Sequence, residues 1–248
     1  MKNTGNTILI TGGGSGIGQA LAHRWHDAGN YIIITGRRQQ ILNDAIAGRE
    51  HMAAYVLDVT DADMVEAFVL QVTTEHPQLN ILVNNAGFFS YEKVTSRRDI
   101  TDAEQMVETN ILGPIRMTNA FIDHLSAQAD AVIINVSSDL AFVPYPASPT
   151  YSATKAAIHS YTTAIRPLLK GKIEVIEIVP PQVQTVRLPG KPRDPNCMPL
   201  DAFADEVIAL LHAENTLSEV CVERVRYFRE AEANGQFDEA LRIRHQSS

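Results

Sequence analysis

Apolar residues along this chain fall in short, β-branched runs separated by longer stretches with helical spacing. Residues 7–11 read as a buried strand that leads into a helix over about 16–28, stopped by Gly29 and Asn30. Residues 31–35 give a second strand, 39–47 a helix and 52–57 a third strand. Asp61 is placed to cap the next helix, which runs to about His76 ahead of Pro77. A fourth strand follows at 81–83, a long helix at 102–126, and a fifth strand at 131–136. A helix at about 153–169 and a sixth strand at 173–179 complete the pattern. Strands that are apolar throughout, with helices between them, indicate a parallel sheet covered on both faces. Right-handed crossovers then predict an α/β, doubly wound fold whose ligand lies beyond the carboxyl ends of the strands.

The 248 residues suit one such domain. Its core spans 7–185, followed by a proline-marked excursion at 186–200, a helix and strand region at 201–228, and a polar tail at 229–248 that reads as a surface helix, an oligomer arm or a loose segment. A net charge of -8 argues against a nucleic-acid or anionic-membrane partner. Cys197 and Cys221 form no C-x-x-C pair, so neither metal nor disulfide is expected, and Cys221 is expected in the core. No apolar run approaches the ~20 residues of a membrane span. The first apolar stretch breaks at glycines too early for a signal peptide, which makes the cytoplasm the expected location.

The unusual residues cluster at strand ends. Thr11 to Gly18, with Gly12, Gly13, Gly14, Ser15, Gly16 and Ile17 between, joins the first strand to the first helix. Glycines there allow a tight turn and close approach of the backbone to a pyrophosphate at the helix N-terminus. The second strand ends in Gly36, Arg37 and Arg38, without the carboxylate that would bond ribose hydroxyls in an NAD site. Arg37 can offer a planar fork of donors to a 2′-phosphate, so NADP(H) is the preferred cofactor and NAD(H) the second option. Arg38 reads equally as a solvated helix-start residue. Asp58 and Val59 are candidates for the adenine edge, although Asp58 also suits a turn cap. Asn85, Ala86 and Gly87 follow the fourth strand, where amides and small residues suit a ribose.

Tyr151 and Lys155 stand four residues apart, on one face of a helix. A phenol titrates near pH ~10 and needs tuning to act near neutrality; a nearby ammonium favours the phenolate. Ser138, ending the fifth strand 13 residues earlier, could hold a substrate oxygen, with Ser137 as a backbone-bonding neighbour. Asn110 lies within the long helix, where an amide is unfavourable unless it has a task, such as holding a water in a kinked helix.

With Thr-Gly-x-x-x-Gly-Ile-Gly at 11–18, Asn-Asn-Ala-Gly at 84–87, Asn110, Ser138, Tyr151 and Lys155 in this order, the chain resembles the short-chain dehydrogenase/reductase family from residue 7 to about 185. The resemblance implies a Rossmann-like fold and hydride transfer between nicotinamide and a carbonyl or alcohol carbon. It implies that Tyr151 passes the proton, that Ser138 positions the substrate oxygen, that Lys155 tunes Tyr151 and binds the nicotinamide ribose, and that Asn110 anchors a water. It also implies contacts to the carboxamide from Pro181, Val183 and Thr185, and a homodimer or homotetramer built on helices 102–126 and 153–169. Two positions depart from the family pattern. Pro181 replaces a glycine, and Ser15 stands where a basic residue is usual, which leaves the NADP reading on Arg37 and the missing acid.

Phe88, Phe89, Phe142, Val143, Pro144, Tyr145 and Leu188 suggest an apolar substrate pocket, with half of them serving the core instead. A small-molecule carbonyl or secondary alcohol of modest polarity is the expected substrate. Two other readings compete: a non-catalytic nucleotide-binding sensor on the same fold, and a sugar epimerase or dehydratase, for which the C-terminal region is short.

Overall fold

The computed structural model describes residues 1–185, 196–213 and 217–246. Strands β1 (Thr7–Thr11), β2 (Tyr31–Gly36) and β3 (Met52–Val56) alternate with helices α1 (Gly16–Asp27), α2 (Gln39–Ile46) and α3 (Ala62–Glu75). The second half opens with β4 (Leu79–Asn84), followed by α4 (Thr101–Val107), a π-helical turn (Glu108–Leu112), α5 (Gly113–Ser126) and β5 (Val132–Val136). A 3-10 turn (Asp139–Ala141) and α6 (Pro149–Leu169) lead to β6 (Glu174–Val179). Short strands β7 (Val183–Gln184) and β8 (Met198–Pro199) pair with each other. Then come α7 (Leu200–Leu211), β9 (Glu219–Cys221), α8 (Glu223–Glu230) and α9 (Phe237–Gln246).

Seven strands form one parallel sheet in the order β3-β2-β1-β4-β5-β6-β9. Because side chains alternate along a strand, each strand feeds two cores. Ile8, Ile10, Ile32 and Ile34 pack on one face with Trp25 and Phe203. Leu9, Ile33 and Leu82 pack on the other with Phe68 and Phe121. The chain leaves β1 toward β2 on one side and returns to pair β4 on the other. That reversal opens a crevice at the carboxyl ends of β1 and β4, where ligands of open α/β sheets bind.

Most expected elements stand within a few residues of their predicted ends, and Asp61 caps α3 by accepting the Met64 N–H at 2.9 Å. Three differ. The helix expected over 102–126 carries the π-helical turn at Glu108–Leu112, a wider turn often found at functional sites. Helix α6 starts at Pro149 rather than near 153, because a proline at the first turn loses no intrahelical bond. The tail is ordered into α9, which folds back so that Ala240 is fully buried with Val143 and Ala231. Leu188 and the prolines at 189, 192 and 195 lie outside the described residues.

Candidate active site

The glycine loop is shaped by conformation and by crowding. Gly12 and Gly16 have φ of +66° and +55°, a region that disfavours side chains. At Gly18 an added Cβ would lie 2.5 Å from both the Gly12 carbonyl oxygen and Asn85 Nδ2. Thr11 ties this loop to the end of β4: its Oγ1 accepts the backbone N–H groups of Asn85 (3.0 Å) and Ala86 (3.1 Å). Asn85 Nδ2 in turn donates to the carbonyls of Thr11 (2.9 Å) and Gly12 (3.3 Å). Through Nδ2 the Asn85 side chain thus braces the loop. Ser15 is the N-cap of α1, yet its side chain makes no capping bond, so the first-turn amides have no side-chain cap.

A cleft of about 150 Å³ runs from this loop across the sheet edge. Its walls include Gly12, Ser15, Arg37, Arg38, Asp58, Val59, Ala86 and Gly87. Eight residues predicted from separate strand ends are therefore brought to one cavity. Arg37 and Arg38 are exposed, and among the described residues neither is held by an ion pair. Asp58 does cap a turn, with Oδ1 accepting the Thr60 amide (3.0 Å) and hydroxyl (2.8 Å), while still lining the cleft. Gly16 and Thr185 approach each other: a Cβ on Gly16 would stand 3.3 Å from the Thr185 side chain. Pro181 is buried, and Val183 is held in β7 by the pairing with Met198. The Pro180 carbonyl accepts the Asp139 amide at 3.0 Å, so this proline-stiffened segment is fastened to the turn after β5.

The chemical end adjoins Gly87, whose added Cβ would lie 3.5 Å from Asn110 Oδ1 and 3.9 Å from Lys155 Nζ. Asn110 is buried in the π-helical turn. Its Oδ1 accepts the Phe88 N–H at 2.8 Å, and its Nδ2 donates to the Phe88 carbonyl (2.9 Å) and to Thr154 Oγ1 (3.1 Å). Thus the wider turn re-aims the amide to join the β4 loop to α6. Lys155 Nζ donates to the Val136 carbonyl at 2.9 Å and stands 5.5 Å from the Tyr151 ring centroid. Phe89 packs edge-on against the same ring at 5.0 Å and against Tyr91 at 5.0 Å.

Spacing alone suggests that the ammonium lowers the phenol's pKa; in the free protein the balance is the reverse. Burial pushes Tyr151 up, with the Asp139 charge adding to it, and burial lowers Lys155 to about 8 against the opposing pull of Glu177. Desolvation is the largest cause of both shifts. Glu177 itself is fully buried and accepts from His159 Nδ1 at 2.9 Å, which raises the imidazole's pKa.

Ser138 is buried, its Oγ donating to Asp139 Oδ1 at 3.1 Å and accepting the Leu140 amide at 3.2 Å. Two side chains of this site escaped the sequence reading: Asp139, beside Ser138, and Arg244 of α9, which pairs with it. An acid directly after Ser137 and Ser138 was a visible signal; Arg244, 105 positions away, gave none. Among the proposed substrate residues, Val143 is core, packed under α9, and Phe142 lies between His159 (4.7 Å) and the Arg229 guanidinium (4.5 Å). Cys221 is half-buried rather than in the core, and its thiol is pushed up by burial.

Residues 6–195 match the model of the short chain dehydrogenase family. The chain belongs to that family. Relatives agree across most of its length. An uncharacterised oxidoreductase of Bacillus subtilis, DltE, is 40% identical over 189 residues, covering 75% of this chain and 74% of its own. The serine 3-dehydrogenase of Agrobacterium fabrum is 35% identical over 182 residues, 72% of each chain. A short chain dehydrogenase from Burkholderia cenocepacia, solved with NADP, superposes with a TM-score of 0.82 at 25% identity over 97% of this chain and 99% of that one. The short chain dehydrogenase described here is an NAD(P)-dependent oxidoreductase acting on alcohol or carbonyl groups.

In it, Gly18→Ala forces a methyl against a backbone oxygen, an overpacking cost of about 1–3 kcal/mol. Affinity for the dinucleotide is expected to fall about tenfold or more, read by fluorescence titration with NADPH. An unchanged dissociation constant would show that the loop yields without cost.

Proposed function

We propose that this enzyme prefers NADP(H) and reduces a small carbonyl compound, or oxidises the matching secondary alcohol, with Tyr151 as the proton-transfer group. The observation that carries this reading is the meeting at Gly87. One cleft holds the glycine loop, Arg37 and Gly87, and Gly87 is also the neighbour of Lys155 and Asn110.

The glycines fit a phosphate-binding turn because Gly12 and Gly16 take positive φ and Gly18 has no room for a Cβ, which keeps the loop backbone tight at the start of α1. Gly12, Ser15, Gly16, Ile17 and Gly18 would hold the pyrophosphate, and Arg37, aided by Arg38, the 2′-phosphate. Asp58 and Val59 would meet the adenine, while Ala86, Gly87 and Lys155 would meet the ribose near the reacting ring. Pro181, Val183 and Thr185 would face the carboxamide. Once bound, the nicotinamide supplies or takes up the redox equivalents. Tyr151, kept protonated by burial, donates a proton to the substrate oxygen in the reducing direction. Ser138 holds that oxygen through its hydroxyl, and Lys155, charged below about pH 8, stabilises negative charge on the phenol oxygen as the proton leaves. Asn110 keeps Phe88 and Thr154 in place and so fixes the wall beside Tyr151. The half-exposed Phe89 favours substrates with an apolar flank. The Burkholderia enzyme solved with NADP supports the cofactor choice. Exposed Val107 and Leu168 on α4 and α6 support a homodimer or homotetramer.

Titration with NADPH and NADH, followed by an oxidation assay against aldehydes and ketones, tests the reading. Wild type is expected to bind NADPH more tightly than NADH. Arg37→Glu places a carboxylate where the 2′-phosphate would sit, so NADPH affinity should drop about 10–100-fold while NADH changes little. Equal losses for both nucleotides would overturn the role given to Arg37, and failure to bind either would overturn the reading.

A further inference from the structure

Ser138 has a neighbour that ordinary substrate positioning does not call for. Its hydroxyl donates to Asp139 Oδ1 at 3.1 Å, and Asp139 is 2% exposed. A buried carboxylate at that position competes with any substrate oxygen for the one proton Ser138 can give. It also places a negative charge beside Tyr151. Left alone, Asp139 would oppose both tasks of the site.

It is not alone. Arg244 Nη2 from α9 forms a close ion pair with Asp139 Oδ2, the oxygen not facing Ser138. The guanidinium sits over the Phe228 ring, its central carbon 3.7 Å from the centroid. One helical turn before Arg244, Ala240 is buried against Val143 and Ala231, with Phe228, Phe237 and Leu241 around it. The helix that carries the arginine is thus docked by its own small core, and that core includes Val143, four residues after Asp139. Asp139 falls inside the stretch matched to the family and Arg244 beyond it.

We propose that Arg244 is a positioning residue for the reaction: by holding and neutralising Asp139 it frees the Ser138 hydroxyl for the substrate oxygen. The inference rests on the assignment of Ser138 and Tyr151 under Proposed function. Charge withdrawn toward Oδ2 weakens the Ser138–Oδ1 bond, so the hydroxyl can turn to a substrate at little cost. Without the arginine, Asp139 takes the Ser138 proton as its chief partner. Among the described residues, the charged groups that bear on Tyr151 from its surroundings are Lys155 on α6, Asp139 on the 3-10 turn and, through Asp139, Arg244 on α9. His159 and Glu177 pair with each other, and His159 is covered by Phe142.

Four proteins decide it: wild type, Arg244→Met, Arg244→Lys and the double variant Asp139→Asn/Arg244→Met. Each is assayed for NADPH oxidation with the best carbonyl substrate across pH, and for NADPH binding. Arg244→Met should lower kcat/KM about 10–100-fold, mainly through KM, the scale of one hydrogen bond lost to a charged rival. NADPH affinity should stay within about twofold, since Arg244 does not line the cofactor cleft. The pH at which reduction falls off should move up by about one unit, as an uncompensated anion holds the Tyr151 proton more tightly. Arg244→Lys should keep part of the rate, and the double variant should regain most of it and return the pH profile toward wild type. A merely structural arginine would lower thermal stability in both methionine variants without moving the profile. If Arg244→Met keeps the wild-type profile and KM, or if the double variant remains as impaired as the single, the proposal falls. Absence of turnover by wild type would overturn the underlying assignment and this inference with it.

Discussion

Tyr151→Phe should bind NADPH as wild type does and lose carbonyl reduction by about 10²–10⁴-fold, the range over which a positioned acid or base acts. The substitution removes one oxygen and leaves the ring's packing. Phe89 still meets it edge-on at 5.0 Å, and Lys155 keeps its bond to the Val136 carbonyl at 2.9 Å. Stability is therefore expected to change little. The phenol's proton is held by burial, yet its ring faces a cation on the same helix face. A single-turnover measurement with preloaded NADPH separates the chemical step from binding. Turnover within tenfold of wild type would remove Tyr151 from the mechanism, whatever the cofactor affinity.

The scaffold was legible because its signals are local and repeated. Apolar runs at residues 7–11 and 31–35 could only be interior strands of a sheet covered on both faces, and Ile8 through Ile10 are fully buried there. Glycines at 12, 16 and 18 predicted a turn that side chains would spoil, and the φ values and crowding at those positions follow. The ends of helices were less legible where a single residue decides them. Pro149 starts α6 four residues early, and no local propensity distinguishes the π-helical turn around Asn110 from an ordinary helix. That turn is set by bonds to Phe88 and Thr154, partners 22 and 44 positions away.

Much the same division runs through the site. Spacing placed Tyr151 and Lys155 on one helix face, but it could not weigh burial against attraction, because burial is a property of the whole fold. Hence the expected direction of the tyrosine shift reversed in the free protein. Likewise, the bonds from Asn85 Nδ2 to Thr11 and Gly12 brace the loop, a use only tertiary contact reveals. Arg244 is the extreme case. Nothing in a charged tail distinguishes the arginine that reaches an active-site turn from those that face water; α9 must first be docked through Ala240.

Replacing Lys155 by methionine should abolish turnover and, at neutral pH, make the protein more stable. Burial depresses the lysine from an ordinary 10.5 to about 8, which costs about 3 kcal/mol whenever the group is charged in both folded and unfolded chains. The sign follows from proton counting. Below about pH 8 both states hold the proton and the cost is fully present. Between about 8 and 10.5 the unfolded chain holds more protons than the native one, so wild-type stability gains with rising pH. Methionine removes the charge but leaves the Val136 carbonyl without its donor, a loss of about 1–3 kcal/mol, so the net gain near pH 7 is about 1 kcal/mol. The sharper expectation is the difference: the stability gap between variant and wild type, from denaturant unfolding, should move in favour of wild type by about 2–3 kcal/mol from pH 7 to pH 10. A gap independent of pH would mean that Lys155 is not held near its threshold. If the gap does move, the fold carries a costly buried cation that its packing does not need. A group retained against stability, beside a tyrosine and the wall of a dinucleotide cleft, is retained for chemistry.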